Sequence, residues 1–260
     1  MAVYIDIDSQ DLPEKYQKYN LIASKDGKSQ SVFFLENKYI LKIFNDYTKE
    51  ELKNEQNLLN TLKNNKVSNI LDTFFIKNNQ TIVYRHINGL SLKQIQNNHI
   101  LQIAIFLKNM HKLTYCKTSS NTQIFTENYL KNMIKKSENS KLLNIYNSIT
   151  ITLKNDGIIH GDLFADNCKF ETNKLSGVYD FCEACNGDFI FDLAVVAMSW
   201  CYNKYQLNKE KVLTLIRAYG LKISYKKFLV YIKYALLYYT TSRYINNRDY
   251  KELYLKLIKI

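Results

Sequence analysis

Up to residue 87, short apolar runs are broken by polar turns, which is the pattern of strands rather than of long helices. Residues 31–35 (SVFFL) and 39–44 (YILKIF) flank the turn Glu36-Asn37-Lys38 and predict a hairpin. Thr48 and Glu51 have capping-box spacing, in which each side chain satisfies a backbone donor of the other residue, and they open a helix to about residue 64. Residues 70–76 and 81–87 predict a second hairpin about Lys77-Asn78-Asn79-Gln80, and Asn88-Gly89 closes the series with a turn.

Beyond Gly89 the period lengthens. Leu101, Ala104, Ile105, Leu107 and Met110 recur at helical spacing, with His111 closing that segment. Residues 126–153 predict one or two further helices, and a loop-rich stretch, 156–188, interrupts them. Helical patterns return over 191–202, 209–219 (with Gly220 as a C-terminal stop), 225–245 and 250–258. The pattern therefore predicts an α+β fold of two lobes. A small antiparallel-sheet lobe with one helix spans 1–87, and a larger, mostly helical lobe spans 88–260.

Composition narrows the class. Hydrophobic residues make up 46% of the chain and aromatics 13%, as in an ordered globular protein, while seven Gly and one Pro are too few for a turn-rich β-sandwich. The net charge of +12 raises the question of nucleic acid. Lys is scattered beside Asn, Ile and Tyr without a long basic run, so no nucleic-acid partner is expected, whereas an anionic small ligand such as a nucleotide suits this field. The five Cys suggest reduced thiols: Cys182 and Cys185 lack a second pair at zinc-like spacing. The N-terminus lacks a basic start followed by an apolar run, and the apolar stretches 193–202 and 235–239 are too short to cross a bilayer. A soluble, cytoplasmic protein without a membrane partner is expected.

The chemistry concentrates in His160-Gly161-Asp162-Leu163-Phe164-Ala165-Asp166-Asn167, followed by Asp180-Phe181. An Asp, four residues, an Asn and a later Asp-Phe pair are what phosphoryl transfer needs, because that reaction depends on aiming a nucleophile and neutralising phosphate charge. Asp162 is the candidate catalytic base for a substrate hydroxyl; Asn167 and Asp180 are the candidate hard oxygen ligands for Mg2+. Lys42 lies inside an apolar strand and must find a counter-charge or reach solvent. Glu55 shares the apolar face of the following helix with Leu52, Leu59 and Leu62, so the two predict an ion pair that steadies Lys42 against nucleotide phosphates. No Walker A or G-x-G-x-x-G motif occurs; the candidate phosphate-covering loop contains Gly27 and Ser29. Asp192 is a candidate brace for the catalytic loop, as is His160. Glu183 and Asp188 are candidates for meeting a cationic group on a substrate.

These residues resemble the aminoglycoside-phosphotransferase and choline-kinase branch of the protein-kinase-like superfamily, most firmly from His160 to Trp200. Within that branch, the catalytic loop, Gly177-Val178-Tyr179-Asp180-Phe181-Cys182-Glu183-Ala184-Cys185, Phe191-Asp192-Leu193-Ala194 and Trp200-Cys201 are most similar to bacterial homoserine kinases of this fold. The resemblance implies a two-lobed kinase fold, ATP and Mg2+ as cofactors, and a small-molecule hydroxyl substrate. It also implies a hinge over Tyr84, His86 and Ile87 whose backbone groups face the adenine. Ala165 stands where the subgroup usually has Arg, and Ser199 departs from its pattern before Trp200, which leaves choline, ethanolamine or an aminoglycoside open as acceptors. A nucleotide-binding pseudokinase is disfavoured because Asp162, Asn167 and Asp180 are all present.

Overall fold

The computed structural model describes residues 5–24, 30–44, 48–63 and 65–260. The loop containing Gly27 and Ser29 lies outside the described residues. The chain divides into two compact units, Met1–Asn88 with Gly177–Cys182, and Gly89–Ser176 with Glu183–Ile260.

The first unit carries a short helix α1 (Glu14–Gln17), strands β1 (Leu21–Ala23), β2 (Ser31–Leu35) and β3 (Tyr39–Phe44), helix α2 (Lys49–Thr61), and strands β4 (Ile70–Ile76) and β5 (Asn79–Arg85). The strands form one antiparallel sheet in the order β1-β2-β3-β5-β4. Successive side chains of a strand point to opposite faces. Phe33, Leu35, Leu41, Ile43 and Val83 therefore share one face and form a core with Ile7, Leu12, Tyr16 and Ile76. Lys42, opposite Val32 and Ile82, and Tyr84, opposite Ile40, occupy the other face.

The second hairpin is tighter than the sequence suggests. Lys77 and Asn78 both adopt positive φ (47° and 65°), so Ile76 pairs directly with Asn79 and β5 ends at Arg85. A two-residue turn of this kind matches the right-handed twist of the strands it joins, and Asn tolerates the left-handed region. Helix α2 starts at the capping box: Glu51 N–H donates to Thr48 Oγ1 at 3.2 Å, and Thr48 N–H donates to Glu51 Oε2 at 2.8 Å. Leu52, Leu58 and Leu59 are buried along it, each worth about 1.5–3 kcal/mol of apolar burial. Gly177–Cys182 is tied into this unit by a parallel bridge between Val67 and Val178, where Val178 N–H donates to Lys66 O at 2.8 Å and Ser68 N–H to Val178 O at 3.2 Å.

The second unit begins with α3 (Asn97–Thr114), which runs one turn past the stop expected at His111. Helices α4 (Glu127–Ser137) and α5 (Ser140–Asn147) follow, parted where Glu138 turns left-handed (φ 50°). The loop-rich stretch contains short ribbons: β6 (Gly157–Ile159), β7 (Cys168–Glu171), β8 (Lys174–Val178) and β9 (Cys185–Gly187), paired β6 with β9 and β7 with β8. Next come α6 (Phe189–Trp200), α7 (Lys209–Tyr219), α8 (Tyr225–Ile245) and α9 (Lys251–Leu257). Gly220 stops α7 in the left-handed region at φ 84°, a conformation that costs glycine nothing sterically. Helix α6 is apolar around nearly its whole circumference and forms the buried axis of this unit. Among the described residues, no helix is long and apolar enough to cross a membrane.

Candidate active site

In the first unit, β3 delivers Lys42, α2 delivers Glu55, β5 delivers Tyr84, and Gly177–Cys182 delivers Asp180 and Cys182. Lys42 Nζ lies 2.6 Å from Asp180 Oδ1 and donates to Cys182 Sγ at 3.3 Å. Glu55 accepts from Tyr84 Oη at 3.2 Å and from Cys182 Sγ at 3.5 Å. The direct Lys42–Glu55 ion pair that the sequence suggests is therefore not formed. Asp180 sits in the left-handed region (φ 68°), a strained backbone state common at functional sites, and its carboxylate takes the close position on the ammonium. The Cys182 thiol stands between Lys42 and Glu55.

The electrostatics follow from burial and charge. Burial disfavours the Lys42 ammonium, yet the charge of Asp180, with that of Glu55, outweighs it and holds Lys42 well above the ordinary lysine value. Burial pushes the Glu55 carboxyl up, and Lys42 opposes this only in part. Burial and then the neighbouring Glu55 raise both the Tyr84 hydroxyl and the Cys182 thiol, so both remain donors at neutral pH.

Two of the expected hinge residues make contacts of their own within the first unit. The Tyr84 backbone lies inside the sheet between Ile40 and Ile70, and its hydroxyl is directed to Glu55. His86 N–H is used by Lys38 O at 3.0 Å. Tyr84 is thus paired on both sides within the sheet, whereas His86 follows the end of β5. Ile87 lies beyond the end of β5, with its side chain so close to Gly177 that a Cβ there would meet it at 2.6 Å.

In the second unit, the candidate catalytic loop, residues 160–167, is held chiefly by its backbone. Asp192 on α6 accepts from His160 N–H (Oδ2, 2.9 Å) and Gly161 N–H (Oδ1, 2.9 Å). His111 Nε2 lies 3.0 Å from the same Oδ2, Nδ1 lies 2.9 Å from Tyr219 Oη, and the ring stacks on Phe189 at 4.0 Å. Burial works against the Asp192 carboxylate, but the hydrogen bond and charge of His111, with the donated N–H of His160, leave its pKa below the ordinary value. Trp200 Nε1–H donates to Leu163 O at 3.1 Å, and Tyr239 on α8 donates its hydroxyl to Gly161 O. Gly161 has φ 78°, and a Cβ there would lie 2.2 Å from the Phe125 ring, so both conformation and space require glycine.

Within this frame, Asn167 Nδ2 donates to Asp162 O at 2.7 Å and to Asp162 Oδ2 at 3.1 Å. His160 is fully buried and its Nδ1 accepts from Asp162 N–H at 3.3 Å. Ser199 Oγ accepts from Ala165 N–H at 3.2 Å, so the two positions that depart from the homoserine-kinase pattern touch each other. Arg243, one turn beyond Tyr239 on α8, holds its guanidinium 5.7 Å above the Phe164 ring, and among the described residues no carboxylate lies within ion-pair distance of it.

Glu183 is exposed, and its charge bears on the Tyr238 and Tyr239 hydroxyls. Asp188 is a correction: it is 2% exposed and is the N-cap of α6, accepting from Ile190, Phe191 and Lys154 N–H at 2.6, 3.3 and 2.8 Å. Its oxygens are committed to backbone, which leaves no role toward a substrate. The partners of Cys182, Tyr239 and His111 are not apparent from the sequence. Only Cys182, beside Asp180-Phe181, carried a local signal.

The donor chemistry fits Mg2+. This ion takes hard oxygens, often one or two from protein with the rest from water and phosphate. In the first unit Asp180 offers a carboxylate that is 39% exposed; in the second, Asn167, with its amide nitrogen turned to Asp162, offers Oδ1; each by itself is a ligand of the kind this ion takes.

Solved structures share this architecture. The GDP complex of wild-type aminoglycoside 2'-phosphotransferase-IIIa aligns with a TM-score of 0.68 at 15% identity, covering 93% of each chain. A ternary complex of an aminoglycoside phosphotransferase with streptomycin and ATP aligns with a TM-score of 0.64 at 19% identity, covering 99% of this chain and 96% of that one. The fold is thus the two-lobed protein-kinase-like fold of these phosphotransferases. The chain belongs to the phosphotransferase enzyme family (APH), whose model matches residues 21–207. Curated relatives are similar over a shorter stretch. The homoserine kinase of Bartonella henselae is 44% identical over 71 residues, 27% of this chain and 21% of that protein. That of Bradyrhizobium diazoefficiens is 41% identical over 66 residues, 25% and 20%. The matched stretch spans about a fifth of the length of these relatives.

Proposed function

We propose that this protein is an ATP- and Mg2+-dependent phosphotransferase that moves the γ-phosphoryl group to the hydroxyl of a small acceptor, with L-homoserine as that acceptor. The observation that carries the reading is the Asp162–Asn167 pair, in which the amide holds the carboxylate at 3.1 Å on a loop fixed from below. Asp162 accepts the hydroxyl proton as the acceptor oxygen bonds to the γ-phosphorus and the bond from that phosphorus to the ADP oxygen breaks. Lys42 would meet the phosphate charge, Asp180 and Asn167 would each offer Mg2+ an oxygen ligand, and Ile87 and its neighbours would border the adenine. When bound, Mg2+ would neutralise developing charge on the phosphates. Catalysis then rests on positioning and charge rather than covalent help.

Two observations favour an amino-acid acceptor over a polycation. Homoserine kinases share 41–44% identity over their matched stretches. Arg243, parked on Phe164 in the catalytic loop, is suited to a carboxylate and would repel a polycationic aminoglycoside. Glu183 would take the ammonium. The test is ADP release with homoserine, choline, ethanolamine and kanamycin as acceptors. Homoserine should be preferred, and Arg243→Gln should raise its KM about tenfold or more, the worth of a charged hydrogen bond. Preference for any other acceptor overturns the homoserine reading, and no ADP release with any of them counts against phosphotransfer to this class.

A further inference from the structure

The thiol of Cys182 has a polarity that its neighbours dictate. An ammonium can only donate and a carboxylate can only accept, whereas a thiol has one proton to give and lone pairs to receive. Lys42 Nζ is 3.3 Å from Cys182 Sγ, and that sulfur is 3.5 Å from Glu55 Oε2. With sulfur's larger radius, both separations are bonding distances. One arrangement satisfies all three groups: Lys42 donates to sulfur, and the S–H donates to Glu55. The chain of bonds then runs Tyr84, Glu55, Cys182, Lys42, Asp180, and every member lies in the first unit.

We propose that Cys182 is a positioning residue for Lys42, bridging it to Glu55 in place of a direct ion pair. The proposal rests on the reading that Lys42 serves nucleotide phosphates. Asp180 alone would hold the ammonium from one side; the sulfur holds it from a second and so fixes the direction of the lysine tip. The thiol also gives buried Glu55 a second donor beside Tyr84, and a buried carboxylate with one donor is costly. Cys182 is 8% exposed, so a packing role is the competing account, and the two make opposite predictions for substitution.

Serine keeps the donor and acceptor and loses apolar volume, while valine keeps apolar volume and loses both bonds. Steady-state kinetics of Cys182→Ser, Cys182→Val and Cys182→Ala should show KM for ATP raised about tenfold in Val and Ala, as for loss of a hydrogen bond to a charged group, and largely restored in Ser. KM for the acceptor should hold in all three. Wild-type KM for ATP in Val or Ala, or Ser as the worst of the three, overturns the proposal. A second arm is independent of turnover, so it separates this proposal from the phosphotransferase reading. The infrared S–H band of Cys182, isolated as the difference between wild type and Cys182→Ser, should lie at lower frequency than that of an unbonded thiol and shift upward in Glu55→Ala. A band at the unbonded position refutes the bridge, whatever the kinetics show.

Discussion

The two units hold their chemical groups by different means. In the first, Lys42, Asp180, Cys182, Glu55 and Tyr84 hold one another through side-chain bonds, so each functional group is also its neighbour's support. In the second, the His160–Asn167 loop is anchored mainly at its backbone by Asp192, Trp200 and Tyr239, and the Asn167 amide donates to the Asp162 carboxylate on that frame. A mutually supporting network couples stability to function. A backbone-anchored loop separates them, because its frame is held by groups other than the Asp162 carboxylate.

The largest expected effect tests that separation. Asp162→Asn should lower turnover by about 10²–10⁴, the range for a positioned general base, while the urea midpoint stays at the wild-type value. Loss of stability in this variant would show that the loop relies on its carboxylate after all. Asp192→Ala should do the reverse and cost about 3–5 kcal/mol by urea denaturation at pH 7, because it leaves His111 and two loop N–H groups buried without their acceptor. The pH dependence has a definite sign. The folded Asp192 pKa is below the ordinary 3.8, so its contribution is complete above 3.8 and is lost as pH falls through the lower folded value. Wild type should lose stability across that acid window more steeply than Asp192→Ala.

Tyr239→Phe should cost about 1–3 kcal/mol by the same measurement, since Gly161 O loses its buried donor. An unchanged midpoint would remove α8 from the anchoring of the loop. The smallest effect belongs to the first unit: Thr48→Ala should cost about 1 kcal/mol through loss of the α2 cap, with KM for ATP unchanged. A rise in KM would mean that fraying at the start of α2 reaches Glu55.

What could be read from the sequence was local or carried by spacing. The Thr48–Glu51 box, the strands about Lys42 and the stop at Gly220 each depend on residues a few positions apart, and the structure has them. The nearness of Asp162 and Asn167 was legible for the same reason. Contacts between remote positions were not. Lys42 and Asp180 are 138 residues apart, and Tyr239 and Gly161 are 78 apart, so no periodicity connects them. Glu183 and Asp188 looked alike as loop acids, because a helix cap and an exposed charge share one composition. What separates them is that α6 begins at Phe189, two residues before the apolar run at 191 suggested. Cys182 was visible only as a thiol beside a motif, and its partners became apparent once β3 and α2 were placed on the same segment.

The inclusion of Gly177–Cys182 in the first unit has a consequence for biosynthesis. A ribosome releases the strands β1 to β5 long before it makes the residues that pair with Lys66 and Ser68 and neutralise Lys42. During vectorial synthesis the nascent amino-terminal sheet must therefore wait, with Lys42 lacking Asp180 as its close counter-charge, until residue 182 has emerged. A fragment cut at Asn88 would stay permanently in that unfinished condition.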